Sequence, residues 1–132
     1  MRQWLGKAGE DFLTAELIVA NDLPAYWTAS FHAQQTAEKA LKALLTYYQI
    51  DFMKTHSIGE LLQLAEPVVS GISNELDAAR DLTEYAVRDR YPGPESGVTR
   101  ATAREHVAIA RTVLDFVSVR LRAYLDAGPP AS

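Results

Sequence analysis

Three sets of residues in this chain have types and spacings that could do chemistry. The first is the histidines, His32, His56 and His106. They fall on three different segments, with no i,i+4 pair and no HExxH. A metal site would need them to converge with carboxylates, which nothing in the spacing suggests, so packing or capping is their ordinary role. No metal and no cofactor are expected. The chain has 0 Cys, which removes disulfides, thiolate zinc sites and thiol nucleophiles together. Ser30, Ser57, Ser70, Ser73, Ser96 and Ser118 lack a nucleophile-elbow context. Gly93 and Gly97 lack the lysine and the preceding strand of a phosphate loop, so that loop is excluded.

The second set lies in the string Phe31-His32-Ala33-Gln34-Gln35-Thr36-Ala37-Glu38-Lys39-Ala40-Leu41-Lys42-Ala43-Leu44-Leu45. At helical spacing His32, Gln35, Glu38, Lys39 and Lys42 form one polar ridge, which by itself reads as a solvated face or a dimer seam. The third set is Tyr85-Ala86-Val87-Arg88-Asp89-Arg90-Tyr91-Pro92. Two arginines flank an aspartate between aromatic rings, and such a cluster can hold a phosphate while a ring stacks on a base. The same residues also suit a helix C-terminus, where cations complement the dipole and a tyrosine fixes the turn. Both readings stay open at this level.

Composition narrows the setting. A length of 132 residues implies one domain with a real core, and 48% hydrophobic against 23% charged residues excludes a disordered or fibrous chain. The formal charge of −4 disfavours coating nucleic acid through bulk charge. Charge is nonetheless uneven. The basic residues between 80 and 122 are all arginine: Arg80, Arg88, Arg90, Arg100, Arg104, Arg111, Arg120 and Arg122. A phosphate-binding surface around Arg88, Arg90, Arg100 and Arg104 competes with ordinary solvated faces. Lys7, Glu10 and Asp11 interrupt any apolar run near Met1, so no export signal is expected, and no stretch approaches the ~20 apolar residues of a membrane span. A soluble, cytoplasmic protein is the expectation.

Helices must position these residues. Trp4, Leu5, Ala8, Phe12, Ala15 and Val19 recur at helical steps and predict a helix over 2–20, with Gly6 and Gly9 weakening its first turns. Asn21-Asp22-Leu23-Pro24 ends it, and Pro24 opens a second helix to about Tyr48. Ala33, Ala37, Ala40 and Leu44 on one stripe predict close packing there. Ser57 with Glu60 has capping-box spacing and starts a short helix to about Ala65. A fourth helix begins near Ser73 and runs through Leu76, Ala79, Leu82 and Ala86 to Tyr91-Pro92-Gly93-Pro94. Thr102 with Glu105 offers another capping box before the last helix, whose apolar face is Val107, Ala110, Leu114, Val117 and Leu121. No strand pattern competes. The expected fold is all-α, an up-and-down bundle of four main helices plus one short helix over residues 1–126, with 127–132 a flexible tail.

The sequence resembles the HEPN family (higher eukaryotes and prokaryotes nucleotide-binding domain) over nearly its whole length. Ala8, Asp11, Phe12 and Ala15 are similar to the family's first helix, and Phe31–Leu45 is very close to its FHAQQAAEKALKALL-type signature. Lys54-Thr55-His56-Ser57-Ile58 with Leu61-Leu62 resembles its basic-Thr-His segment, and Arg90-Tyr91-Pro92 resembles the RYP ending of its fourth helix.

The resemblance implies a helical bundle, usually a homodimer. Many relatives pair with a minimal nucleotidyltransferase as toxin and antitoxin. Toxic members are metal-independent ribonucleases that use an Arg followed by four to six residues and then a His. The His would act as acid or base for the RNA 2′-hydroxyl while the Arg steadies the phosphate. Counting from Arg88, the His would fall at Gly93, Pro94 or Glu95; from Arg90, at Glu95, Ser96 or Gly97. The first His after either is His106. The resemblance therefore implies a non-catalytic member that binds a nucleotide, RNA or a nucleotidyltransferase partner. Arg88, Arg90 and Tyr91 would lie near the ligand, and His56, His32 and Lys39 would contribute. The alternatives are a ribonuclease toxin in which His106 or His56 replaces the missing base, and a purely structural dimerisation module.

Overall fold

A computed structural model describes residues 1–52, 54–82 and 97–127. The described residues form helices α1 (Arg2–Ala20), α2 (Tyr26–Tyr47), α3 (Ile58–Ala65), the single turn α4 (Ile72–Glu75), a 3-10 turn (Asp77–Ala79) and α5 (Arg100–Ala127). There is no strand among them, and the fold is all-α.

Left-handed residues set the turns that fold the chain back. After α1 the side-chain amide of Asn21 donates to the Leu17 carbonyl (2.8 Å) and the Leu23 N–H to the Ile18 carbonyl (2.9 Å). Asp22 supplies the φ of 53° that this closure needs, a conformation Asp tolerates better than most residues. After α2, Gln49 takes φ 58° and the Ile50 N–H reaches the Leu45 carbonyl (2.9 Å). The second helix starts at Tyr26 rather than Pro24, because Ala25 keeps a non-helical backbone (φ −100°, ψ 56°) and only its carbonyl joins the ladder. Gly6 and Gly9 do not delay α1. Ala8 is fully buried beside them and Trp4 and Leu5 pack on the core, so tertiary packing outweighs the glycine propensity.

Helix α2 is the axis of the molecule. Ala33, Ala37, Ala40 and Leu44 are all fully buried, the small side chains letting neighbours approach closely. One cluster joins Leu41, Leu44 and Leu45 to Leu61 and Leu62 of α3, Ile72, Leu82 and the α5 residues Val113, Val117 and Leu121. A second joins Ala15 and Ile18 of α1 to Ala29, Ala33, Ala103, Val107 and Ala110.

Ser57 caps α3 as expected, its Oγ accepting from the Glu60 N–H (3.3 Å). The Glu60 carboxylate turns instead to the Thr55 hydroxyl, so the box is only half formed. The continuous fourth helix expected from Ser73 is broken. Leu76 leaves helical geometry (φ −105°, ψ 24°), the 3-10 turn follows, and the chain is helical again at 80–82. Ile72, Leu76, Ala79 and Leu82 nevertheless all stay buried, because a step of four spans the α-helical turn and the steps of three that follow keep the same side inward once the turn tightens to three residues. The cap there is Glu66, whose carboxylate accepts from the N–H groups of Gly71 (2.8 Å) and Ser73 (3.0 Å). Those backbone donors, Ser73 first, hold its pKa below the ordinary carboxylate value. Thr99, not Thr102, caps α5: its Oγ1 accepts from the Thr102 N–H (3.1 Å). The expected course of residues 83–96 and 128–132 lies outside the described residues.

Leu44 is fully buried at the centre of the larger cluster, so Leu44→Ala is expected to lower stability by roughly 2–5 kcal/mol through lost burial and an unfilled cavity. Thermal unfolding of the two proteins checks this.

Candidate functional site

Because α1, α3 and α5 surround α2, its polar ridge is not a solvated face. It divides into two charge clusters, each built on one carboxylate shared by a histidine and a lysine. In the first, Asp11 of α1 accepts from His32 Nδ1 (2.8 Å) through Oδ1 and from Lys39 Nζ (2.6 Å) through Oδ2. His32 and Lys39 lie one helical face apart on α2, so one aspartate ties α1 to α2 at two points. The His32 ring also stands edge-on to Phe31, which stacks on Trp27.

The second cluster is deeper. Gln34, Glu38 and Lys42 follow at i, i+4 and i+8 and are all buried; for Glu38 and Lys42 this departs from the solvated face expected of the ridge. Glu38 Oε1 accepts from the Gln34 amide (2.9 Å), and Oε2 accepts from both Lys42 Nζ and His56 Nδ1 (2.9 Å each). Lys42 Nζ lies 5.4 Å from the ring centroids of both Trp4 and Phe52, within cation–π range. A buried carboxylate is tolerated only when neutralised and hydrogen-bonded, and this one is both. His56 is the surface end of the cluster: its side chain is 76% exposed, while Glu38 is 5% exposed. A carboxylate can only accept, so Nδ1 carries the proton and Nε2 faces outward.

His106 is a different kind of residue. It is buried at 3% exposure on α5, with Nδ1 2.9 Å from Ser30 Oγ of α2. Burial lowers its pKa from the ordinary 6.5, against smaller raising effects of Glu105 and Asp81. Three arginines of α5 face carboxylates, while Arg120 lies over the Phe116 ring. Arg100 and Arg104 approach Asp22 at 2.7 and 3.9 Å, and Arg111 pairs with Glu16 (2.9 Å). Arg100 and Arg104, expected near a phosphate, thus bind α5 to the end of α1. Arg88, Arg90 and Tyr91 lie outside the described residues. No group of three or more His, Asp or Glu among the described residues could hold a metal, and no described helix is long and apolar enough to cross a membrane.

The sequence hinted at part of this. Gln34, Glu38 and Lys42 have the i,i+4 spacing of intrahelical pairs, but nothing local revealed that the pairs are buried, that His56 completes them, or that Asp11 ties His32 to Lys39. Ser30 and His106 are 76 positions apart, and no pattern links them.

Removing Lys42 would leave the buried Glu38 uncompensated. Lys42→Ala is expected to destabilise the fold by about 3–5 kcal/mol, and Glu38→Gln combined with Lys42→Met to recover much of that, as read by denaturant unfolding. His106 gives a pH signature. Its folded pKa is depressed, so the unfolded chain binds the extra proton first; its contribution is whole above the ordinary imidazole range and is lost as pH falls below it. His106→Gln should flatten the stability–pH curve between neutral and mildly acidic buffer.

Comparisons with known proteins agree with this architecture. A family model for the HEPN domain matches residues 1–120. The crystal structure of an archaeal HEPN homologue superposes with a TM-score of 0.70 at 27% identity, over 90% of this chain and 95% of that one. Comparison with curated proteins gives no match. With its bundle built around the Phe31–Leu45 helix and a model match over almost all of its length, the chain belongs to the HEPN family.

Proposed function

We propose that this protein is a non-catalytic HEPN domain that acts as a cytoplasmic homodimer and binds a nucleotide or a nucleotidyltransferase partner, as one component of a toxin–antitoxin-like pair. The observation that carries the non-catalytic part is the state of His106. It is the first histidine after Arg88 and Arg90, and it sits inside the α2–α5 packing with Nδ1 against Ser30, away from any surface phosphate. Catalysis of RNA cleavage would need an imidazole within hydrogen-bond reach of the 2′-hydroxyl or leaving oxygen. Arg88, Arg90 and Tyr91 remain the candidate ligand contacts on their chemistry: two guanidinium forks for phosphate and a ring for a base.

One observation favours a second reading, a metal-independent ribonuclease. His56 has an outward Nε2 and a carboxylate behind Nδ1, the arrangement of an oriented general base.

RNA cleavage in EDTA, run beside Arg88→Ala, separates the two. No cleavage is expected; cleavage lost in Arg88→Ala and His56→Ala would establish the second reading. On the first, Arg88→Ala and Arg90→Ala should each weaken nucleotide binding by roughly 1.5–3 kcal/mol, the range for a lost charge-assisted contact, and leave the fold intact. Calorimetric titration with a nucleotide measures this.

A further inference from the structure

The two charge clusters of α2 use the same parts and end differently. Asp11 is shared by Lys39 and His32, all on the α1–α2 seam, with the His32 side chain 27% exposed. Its members hold two helices together. Glu38 is shared by Lys42 and His56, with both α2 members buried and the histidine in solvent. The second cluster therefore has an outward-facing end.

We propose that His56 Nε2 is the contact for the phosphate group of a bound nucleotide, and that Glu38 is the positioning residue that aims it; this rests on the nucleotide-binding reading above. Charge counting supports an anionic ligand. Glu38 is one carboxylate facing two basic groups, so with Lys42 already on it an imidazolium at His56 leaves the cluster one positive charge in excess at its solvent end. Among the described residues Nε2 has no hydrogen-bond partner, and an anion from outside completes both the charge and the bond.

The imidazole is also held in place. Nδ1 is bonded to Glu38, Glu38 to Gln34 and Lys42, and Lys42 lies near the rings of Trp4 and Phe52. A donor fixed at one nitrogen and free at the other loses little freedom on binding. A guanidinium, that of Arg80, stands near the start of α3, its Nε paired with Asp77 (3.0 Å). Arg80 Nη1 lies 2.8 Å from where a Cβ on Gly59 would stand, three residues beyond His56, so glycine leaves the guanidinium room over the start of α3. Lys54 and Glu60 flank His56 in sequence, and Glu60 is engaged by Thr55.

The test follows the imidazole signals of the full-length protein by NMR during titration with AMP, with inorganic phosphate and adenosine as its two halves. His56 should shift and saturate with AMP and with phosphate, while His32 and His106 stay still; adenosine should leave His56 unmoved. His56→Ala, at an exposed position, should weaken AMP about tenfold. In the AMP complex nitrogen shifts should show an N–H on both ring nitrogens of His56, and Glu38→Gln should lose AMP affinity. AMP binding that leaves His56 still and is unchanged in His56→Ala would overturn the proposal and leave nucleotide binding intact. Adenosine moving His56 as strongly as phosphate would overturn the phosphate assignment. Binding of neither AMP nor phosphate would overturn both this proposal and the reading it rests on.

Discussion

The structure depends on one constraint: a carboxylate buried at the middle of α2 must be neutralised where it stands. Glu38 is kept from water by the helices around it, and its desolvation is offset only because Lys42 and Gln34 come from the neighbouring turns and His56 from the following loop. The placement of the 49–56 loop follows from this. The loop must bring His56 Nδ1 to Glu38 and Phe52 alongside Lys42, which brings α3 back across α2. The first turn of α1 answers to the same group, since Trp4 lies as close to the ammonium as Phe52 does and meets that ring edge to face.

Carboxylates recur as the joints of the fold. Asp11 joins α1 to α2, Asp22 receives Arg100 from α5, and Glu16 receives Arg111. The exposed pairs among these contribute little each. Through them the charges of Arg100, Arg104 and Arg111 are each set against a carboxylate of the chain's first 22 residues.

Much of the architecture was legible in the sequence, because the helix limits coincide with local chemistry. Asn21-Asp22, Ser57 and the apolar stripe of the last helix all act within a few residues of themselves. What was not legible depends on distance along the chain. The break at Leu76 leaves Ile72, Leu76, Ala79 and Leu82 buried as a continuous helix would, so the hydrophobic pattern cannot distinguish them. Its cap is Glu66, from the far side of a turn. Thr99 and Thr102 compete as caps three residues apart, and only the fold chooses. The candidate site divides in the same way. His56 and the Phe31–Leu45 ridge could be picked out as chemistry, whereas the burial of Glu38 and Lys42 is a property of what packs around α2. Residue type alone reads both as solvated.

The two tryptophans have a consequence of a different sort. Trp4 packs on the core that includes α3 and the C-terminal part of α5, while Trp27 packs on the one formed by Ala15, Ala29 and Ala103. The protein thus carries an intrinsic fluorophore in each half of the bundle, and single-tryptophan variants can follow each core separately. Coincident emission changes would mean that α2 couples the halves into one cooperative unit; separated changes would make the bundle two folding units on a shared helix.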